Sequence, residues 1–168
     1  MFVAVWPPAE VVTALARLPR PAVAGIRWTK PEQWHVTLRF LGQVGEGDVD
    51  ALSAALAGVA ARQPQVHALV GPHVDRFGRG ILMVPVSGLD ALAADTVGST
   101  ASFGEPPDPR PFRGHLTMAR AARGRGDVRP LAGAPTSCSW PVDELTLVRS
   151  TTSPTGASYD VIGRWSLA

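Results

Sequence analysis

Two stretches of this chain carry the same short pattern: Trp34-His35-Val36-Thr37-Leu38-Arg39-Phe40 and Gly114-His115-Leu116-Thr117-Met118-Ala119-Arg120. They share His, apolar, Thr, apolar, and lie 80 positions apart, close to half of the 168 residues. Repetition at that spacing fits a duplicated lobe, and the alternation within each copy fits a strand. Successive side chains of a strand take opposite faces, so His35 and Thr37 are expected on one face, with Val36 and Leu38 packed on the other. His115 and Thr117 stand in the same relation to Leu116 and Met118. If a pseudo-twofold axis relates the lobes, the two polar pairs face each other across a cleft.

These residue types suit phosphoryl chemistry. One neutral imidazole can take a proton from water while an imidazolium gives a proton to a leaving oxygen, and an ordinary pKa of about 6.5 makes both forms accessible near neutrality. Each such transfer is worth roughly 10²- to 10⁴-fold in rate. The hydroxyls of Thr37 and Thr117 can donate hydrogen bonds to non-bridging phosphate oxygens. No metal is required, and a His-x-Thr pair lacks the carboxylate or cysteine set of a hydrolytic metal site. One His-x-Thr alone carries little weight, because a hydrogen-bonded structural histidine is commoner than a catalytic one. Two copies in matching contexts carry the argument.

Arg120 closes the second motif with a guanidinium whose fork matches phosphate oxygens. It lies five residues after His115, so an unbroken strand would turn it to the opposite face; it reaches the same phosphate only if the strand ends or bulges there. Around it, Arg110, Arg113, Arg123, Arg125 and Arg129 stand against one acid, Asp127. This run reads either as a phosphate-facing patch or as a compositional habit, since fifteen of the sixteen basic residues are arginine and Lys30 is the sole lysine. The net charge of +2 does not by itself imply nucleic acid. His67 and His73 lack the motif. Trp28, Trp34 and Phe77 are aromatic residues able to stack a base, with packing as the competing role.

Elsewhere, Phe2–Trp6 reads as a strand running into a helix at Pro7-Pro8, with Val11, Val12, Leu15 and Leu18 at helical spacing. A turn is expected at 28–31 and a strand over 34–41. Asp48 is placed to cap a helix striped by Leu52, Leu56 and Val59. Strands are expected at 66–70 and 80–86 around a loop at 75–79, then a helix at 89–99. Gly104–Pro111, with four prolines in eight residues, cannot be regular structure. Strands at 115–120, 142–149 and 158–167 follow, the last two flanking a turn at 154–156. The class is therefore α+β, with antiparallel sheets and helices packed outside.

At this length, with 45% hydrophobic and 18% charged residues, one globular unit with a sizeable core is expected. No apolar run reaches the roughly 20 residues of a membrane helix, and the first residues do not read as a signal peptide, so the expected location is cytoplasmic. The one cysteine, Cys138, can form no internal disulfide and reads as a small strand residue.

The segments FVAVWPP, IRWTKPEQWHVTLRFLG (26–42), PFRGHLTMAR (111–120) and LTLVRSTTSPTGASYDVIGRWSL resemble the bacterial and archaeal RNA 2′,3′-cyclic phosphodiesterases. These were long called 2′-5′ RNA ligases and belong to the two-histidine phosphoesterase superfamily. The resemblance implies one bilobal domain over 1–168, each lobe an antiparallel sheet beside a central cleft. It implies hydrolysis of RNA 2′,3′-cyclic phosphate ends to 2′-phosphates, with weak reverse 2′-5′ ligation and no cofactor. His35 becomes the proton donor and His115 the proton acceptor, with Thr37, Thr117 and Arg120 binding substrate. The partner is RNA with cyclic phosphate ends, and a monomer is the default. Gly114 departs from the proline common before the second histidine, and Met118 from the usual leucine. Two alternatives are a relative acting on a small nucleotide or ADP-ribose cyclic phosphate, and an RNA-binding module without turnover.

Overall fold

The computed structural model describes residues 1–153 and 156–168. Ten strands and three α-helices follow one another: β1 (Phe2–Val5), α1 (Ala9–Ala16), β2 (Ile26–Trp28), β3 (Val36–Phe40), α2 (Val49–Arg62), β4 (Val66–Val70), β5 (Asp75–Phe77), β6 (Ile81–Ser87), α3 (Asp90–Ser99), β7 (His115–Ala121), β8 (Cys138–Val142), β9 (Glu144–Ser153) and β10 (Gly156–Ser166). They form two antiparallel sheets, one in the order β10-β9-β1-β3, the other β2-β7-β6-β4-β8 with β5 added along β6. The α+β class with antiparallel sheets is as expected.

The sheets are not successive halves of the chain. The C-terminal hairpin β9–β10 joins β1 and β3, while β2, from the N-terminal half, pairs with β7. Helices α2 and α3 pack against strands of the first sheet, and α1 against β8 of the second. One core cluster runs through both, from Val3, Val36 and Leu147 to Val84, Leu116 and Trp140.

Several expectations change. Trp28 ends strand β2 instead of opening a turn, and the loop at 75–79 contains β5. The strand expected from 34 begins at Val36, so His35 immediately precedes it. Val142 ends β8 and a separate strand starts at Glu144. Asp48 stands at the helix N-cap but forms no side-chain capping bond. The turn expected at Pro154-Thr155 lies outside the described residues.

Both motif strands carry a bulge at the same station. Along β1 and β3, Val3 pairs with Arg39 and Ala4 with Thr37, leaving Leu38 as the extra residue. Along β6 and β7, Leu82 pairs with Ala119 and Met83 with Thr117, leaving Met118 extra. Leu38 and Met118 are each the third residue after their histidine, and both are buried. The burial sequence over Val36–Phe40 is the same as over Leu116–Arg120. An extra residue reverses the alternation, so Phe40 and Arg120 return to the face of Thr37 and Thr117, while Arg39 and Ala119 turn into the core.

Arg39, 4% exposed, is the one charged residue among the core positions in that stretch. Its guanidinium donates to the carbonyls of Phe40 at 2.7 Å and Glu105 at 2.5 Å. It thereby ties the proline-rich 104–111 loop to the edge strand β3.

Candidate active site

Strands β3 and β7 approach each other where the two sheets meet. A cavity of about 110 Å³ opens there, lined by His35, Thr37, His115, Thr117 and Arg120 together with Thr29, Gln33 and Tyr159. All five residues singled out in the sequence converge on it. Arg120 does so through the Met118 bulge, the condition its spacing demanded. A larger cavity, about 280 Å³ between Trp6, Trp140 and Glu144, holds neither motif.

The two histidines are held alike. Nδ1 of His35 lies 2.7 Å from the Gln33 carbonyl, and Nδ1 of His115 lies 2.7 Å from the Arg113 carbonyl. A carbonyl oxygen only accepts, so Nδ1 carries hydrogen in both rings and Nε2 is left for chemistry. Neutral, that nitrogen accepts a proton; protonated, it donates one.

Their surroundings differ. His35 stacks on Phe2 with centroids 4.7 Å apart, and Trp6 and Tyr159 approach at 5.1 and 5.2 Å. Trp6 is fixed in turn by donation from Nε1 to Thr146 Oγ1 at 2.9 Å, whose hydroxyl donates to the Ala4 carbonyl. Among the described residues the one aromatic ring against His115 is Phe77, edge-on at 4.9 Å, and the Arg113 guanidinium lies over that ring. Burial drives the His35 pKa down to about 4, opposed by its carbonyl bond and helped by the positive field of His115 and Arg120. His115 is also lowered, again by burial first, with Arg120 and Arg113 adding to it. Both rings therefore favour the neutral form in the free protein.

Three residues of the cleft, Gln33, Tyr159 and Thr29, had no signal in the motif spacing. Gln33 donates from Nε2 to the Ala157 carbonyl at 2.6 Å, joining the His35 segment to β10, which brings Tyr159. Thr29 enters from β2's end, where its backbone N–H donates to the Met118 carbonyl at 2.8 Å. Phe40, 59% exposed, stands in β3 where Arg120 stands in β7. Its place on the face of Thr37 could have been expected only with the bulge known.

Other candidates fall elsewhere. Trp34 is 1% exposed core, and Trp28 packs on the core with Nε1 donating to the Pro21 carbonyl. Phe77 buttresses His115. His67 pairs with Pro141 along β4–β8, and His73 bridges Pro135. Cys138 is half-buried, which raises its thiol pKa and disfavours a thiolate. Within the arginine run, Arg110 is paired with Asp108, and Arg129 shares Asp127 with Arg79. Among the described residues no cluster of three or more His, Cys, Asp or Glu side chains is arranged to hold a metal. No helix among them is long and apolar enough to cross a membrane.

Two imidazoles with Nδ1 occupied, two hydroxyls and a guanidinium thus line one small polar space, groups whose chemistry is proton transfer and anion binding. Comparison with known proteins agrees. Residues 5–71 match the model of the LigT like Phosphoesterase family. The RNA 2′,3′-cyclic phosphodiesterase of Thermus thermophilus is 32% identical over 99% of this chain and 89% of that protein. The protein of the same name from Geobacillus stearothermophilus is 31% identical over 99% of this chain, which spans 56% of that relative's length. The crystal structure of E. coli LigT complexed with 3′-AMP superposes with a TM-score of 0.77 at 26% identity, covering 99% of this chain and 97% of the other. The chain belongs to the LigT-like phosphoesterase family.

Proposed function

We propose that this protein hydrolyses 2′,3′-cyclic phosphate ends of RNA to 2′-phosphomonoesters, with His35 as proton donor and His115 as proton acceptor. The observation that carries the reading is the convergence of both histidines, each with Nδ1 occupied and Nε2 left over, on one cavity with Thr37, Thr117 and Arg120. The relatives' names supply the substrate class.

Neutral His115 Nε2 takes a proton from water as the oxygen attacks phosphorus. The bond from phosphorus to the 3′ oxygen breaks, and His35 Nε2–H gives its proton to that oxygen, leaving a 3′-hydroxyl and a 2′-phosphate. Thr37 and Thr117 donate to the non-bridging oxygens, and Arg120 spreads its fork over the charge that develops. The anion and Arg120 have opposite effects on His35: the arginine lowers its pKa, while a bound phosphate raises it and supplies the imidazolium the donor role needs. Phe40 offers an exposed ring for the terminal base. Both proton transfers are served by imidazole, so the reaction proceeds without a metal. A 5′-hydroxyl in place of water would give a 2′-5′ linkage, a slow reverse route at ordinary end concentrations.

The test is to incubate the protein with chelator and a short RNA ending in a 2′,3′-cyclic phosphate and to follow phosphorus by NMR. A 2′-phosphate is expected. A 3′-phosphate, or turnover abolished by chelator, would contradict the reading.

A further inference from the structure

Strand β2 is only three residues long, yet it sets a second guanidinium beside the cleft. Arg27 lies directly opposite Arg120 in the β2–β7 register. Directly opposed residues of an antiparallel pair point to the same face, with Cα atoms about 4.5–5.5 Å apart. Alternation along the strand leads to the same place. Ile26 and Trp28 pack on the core, so Arg27 and Thr29 take the other face, and Thr29 lines the cleft. Arg27 is exposed, and neither it nor Arg120 has a carboxylate partner among the described residues.

Two like charges set directly opposite each other are destabilising. Where arginines of this chain crowd together elsewhere, a carboxylate can lie between them, as Asp127 does between Arg79 and Arg129. Among the described residues no carboxylate lies between Arg27 and Arg120, and an anion there would relieve their repulsion. The same edge also carries the exposed Arg123 and Arg125. Their loop is docked against the start of β2, where a Cβ on Gly25 would lie 2.2 Å from the Arg125 carbonyl. Since the 110 Å³ cavity has room for little beyond one phosphate, a chain of phosphates leaving it along β2 would meet Arg27 next.

We propose that Arg27 forms a second phosphate subsite, outside the reacting centre, that grips the phosphodiester one nucleotide upstream of the cyclic phosphate. The proposal rests on the cyclic-phosphate reading above and narrows it: the preferred substrate is an oligonucleotide with at least one internal phosphodiester.

The test compares three substrates: a nucleoside 2′,3′-cyclic phosphate, a dinucleotide ending in the same group, and that dinucleotide with a neutral methylphosphonate as its internal linkage. The wild type should favour the charged dinucleotide over both others by about tenfold in kcat/KM. In Arg27→Gln that preference should collapse to about twofold or less, through KM, with Arg27→Lys recovering much of it. The slope of log kcat/KM against log salt for the dinucleotide should also become shallower by roughly 0.7, the contribution of one phosphate contact in a single strand. A preference that survives Arg27→Gln would overturn the subsite, as would an equal loss on all three substrates, which would assign Arg27 to the terminal phosphate. If wild-type protein turned over none of them, the cyclic-phosphate reading itself would fall, and the subsite with it.

Discussion

The ring of His35 lies stacked on that of Phe2, 4.7 Å between centroids and 20° from parallel. Charging His35 means placing a cation within a box of Phe2, Trp6 and Tyr159, and its pKa falls to about 4 in consequence. An unfolded histidine titrates at about 6.5. Between those values the unfolded chain binds more protons than the folded one, so stability rises with pH across that window and is lost as pH falls through it. Replacement by phenylalanine keeps a ring in the box and removes the titration. Melting temperatures measured from pH 7 to pH 4 should therefore fall less steeply for His35→Phe than for the wild type; parallel curves would show that His35 is not held neutral by the fold.

Anion binding should reverse the same shift. Addition of inorganic phosphate or a nucleoside 2′-phosphate is expected to raise the pKa of both His35 and His115, followed by imidazole proton NMR. Arg120→Ala should weaken that binding and lower kcat/KM by about 10- to 100-fold, the loss of one charge-assisted bidentate contact of about 1.5–3 kcal/mol. An unchanged kcat/KM would remove Arg120 from the site.

Phe40 and Arg120 hold the same station in their strands but carry opposite chemistry. Stacking on a base is worth roughly 1–3 kcal/mol, so Phe40→Ala should slow cleavage of a base-bearing cyclic phosphate by about 5-fold or more. Ribose 2′,3′-cyclic phosphate without a base should be affected far less. Equal loss on both would mean that the ring supports the strand instead of the substrate.

Gly114, noted in the sequence only as a departure from proline, is a packing constraint. A Cβ there would sit 2.3 Å from the Val86 carbonyl, which itself lies beside the hydrogen bond from Val86 N–H to the Gly114 carbonyl. Because His115 follows directly, Gly114→Ala should cost about 1–3 kcal/mol in overpacking and lower kcat as His115 shifts. Thermal unfolding and steady-state rates check this together; a variant as stable and as active as wild type would show that the β6–β7 junction relaxes freely.

Much of the site was legible because two histidines and two threonines sit in alternating strands, and alternation is a property of the strand itself. Arg120 was legible only as a condition, since its face depends on whether Met118 bulges, and a bulge is decided by the register with β6. Strands of three residues such as Ile26–Trp28 and Asp75–Phe77 are too short to show a period, so Trp28 was expected in a turn and 75–79 as a loop. Gln33, Tyr159 and Arg27 take their places from contacts across more than 90 positions of chain, the Gln33 side chain donating to the Ala157 carbonyl of β10 and Arg27 pairing with Arg120. No local pattern encodes such partners.

The central claim, that His35 donates the proton to the departing 3′ oxygen while His115 takes one from water, is tested most directly by changing the leaving group. A cyclic phosphorothiolate with sulfur at the bridging 3′ position leaves as a thiolate and needs no proton. His35→Ala and His115→Ala should each lose at least about 100-fold on the oxygen substrate. On the sulfur substrate His35→Ala should recover most of the wild-type rate while His115→Ala stays slow. Rescue of His115→Ala in its place would reverse the two roles, and near wild-type turnover of the oxygen substrate by either variant would contradict the two-histidine mechanism.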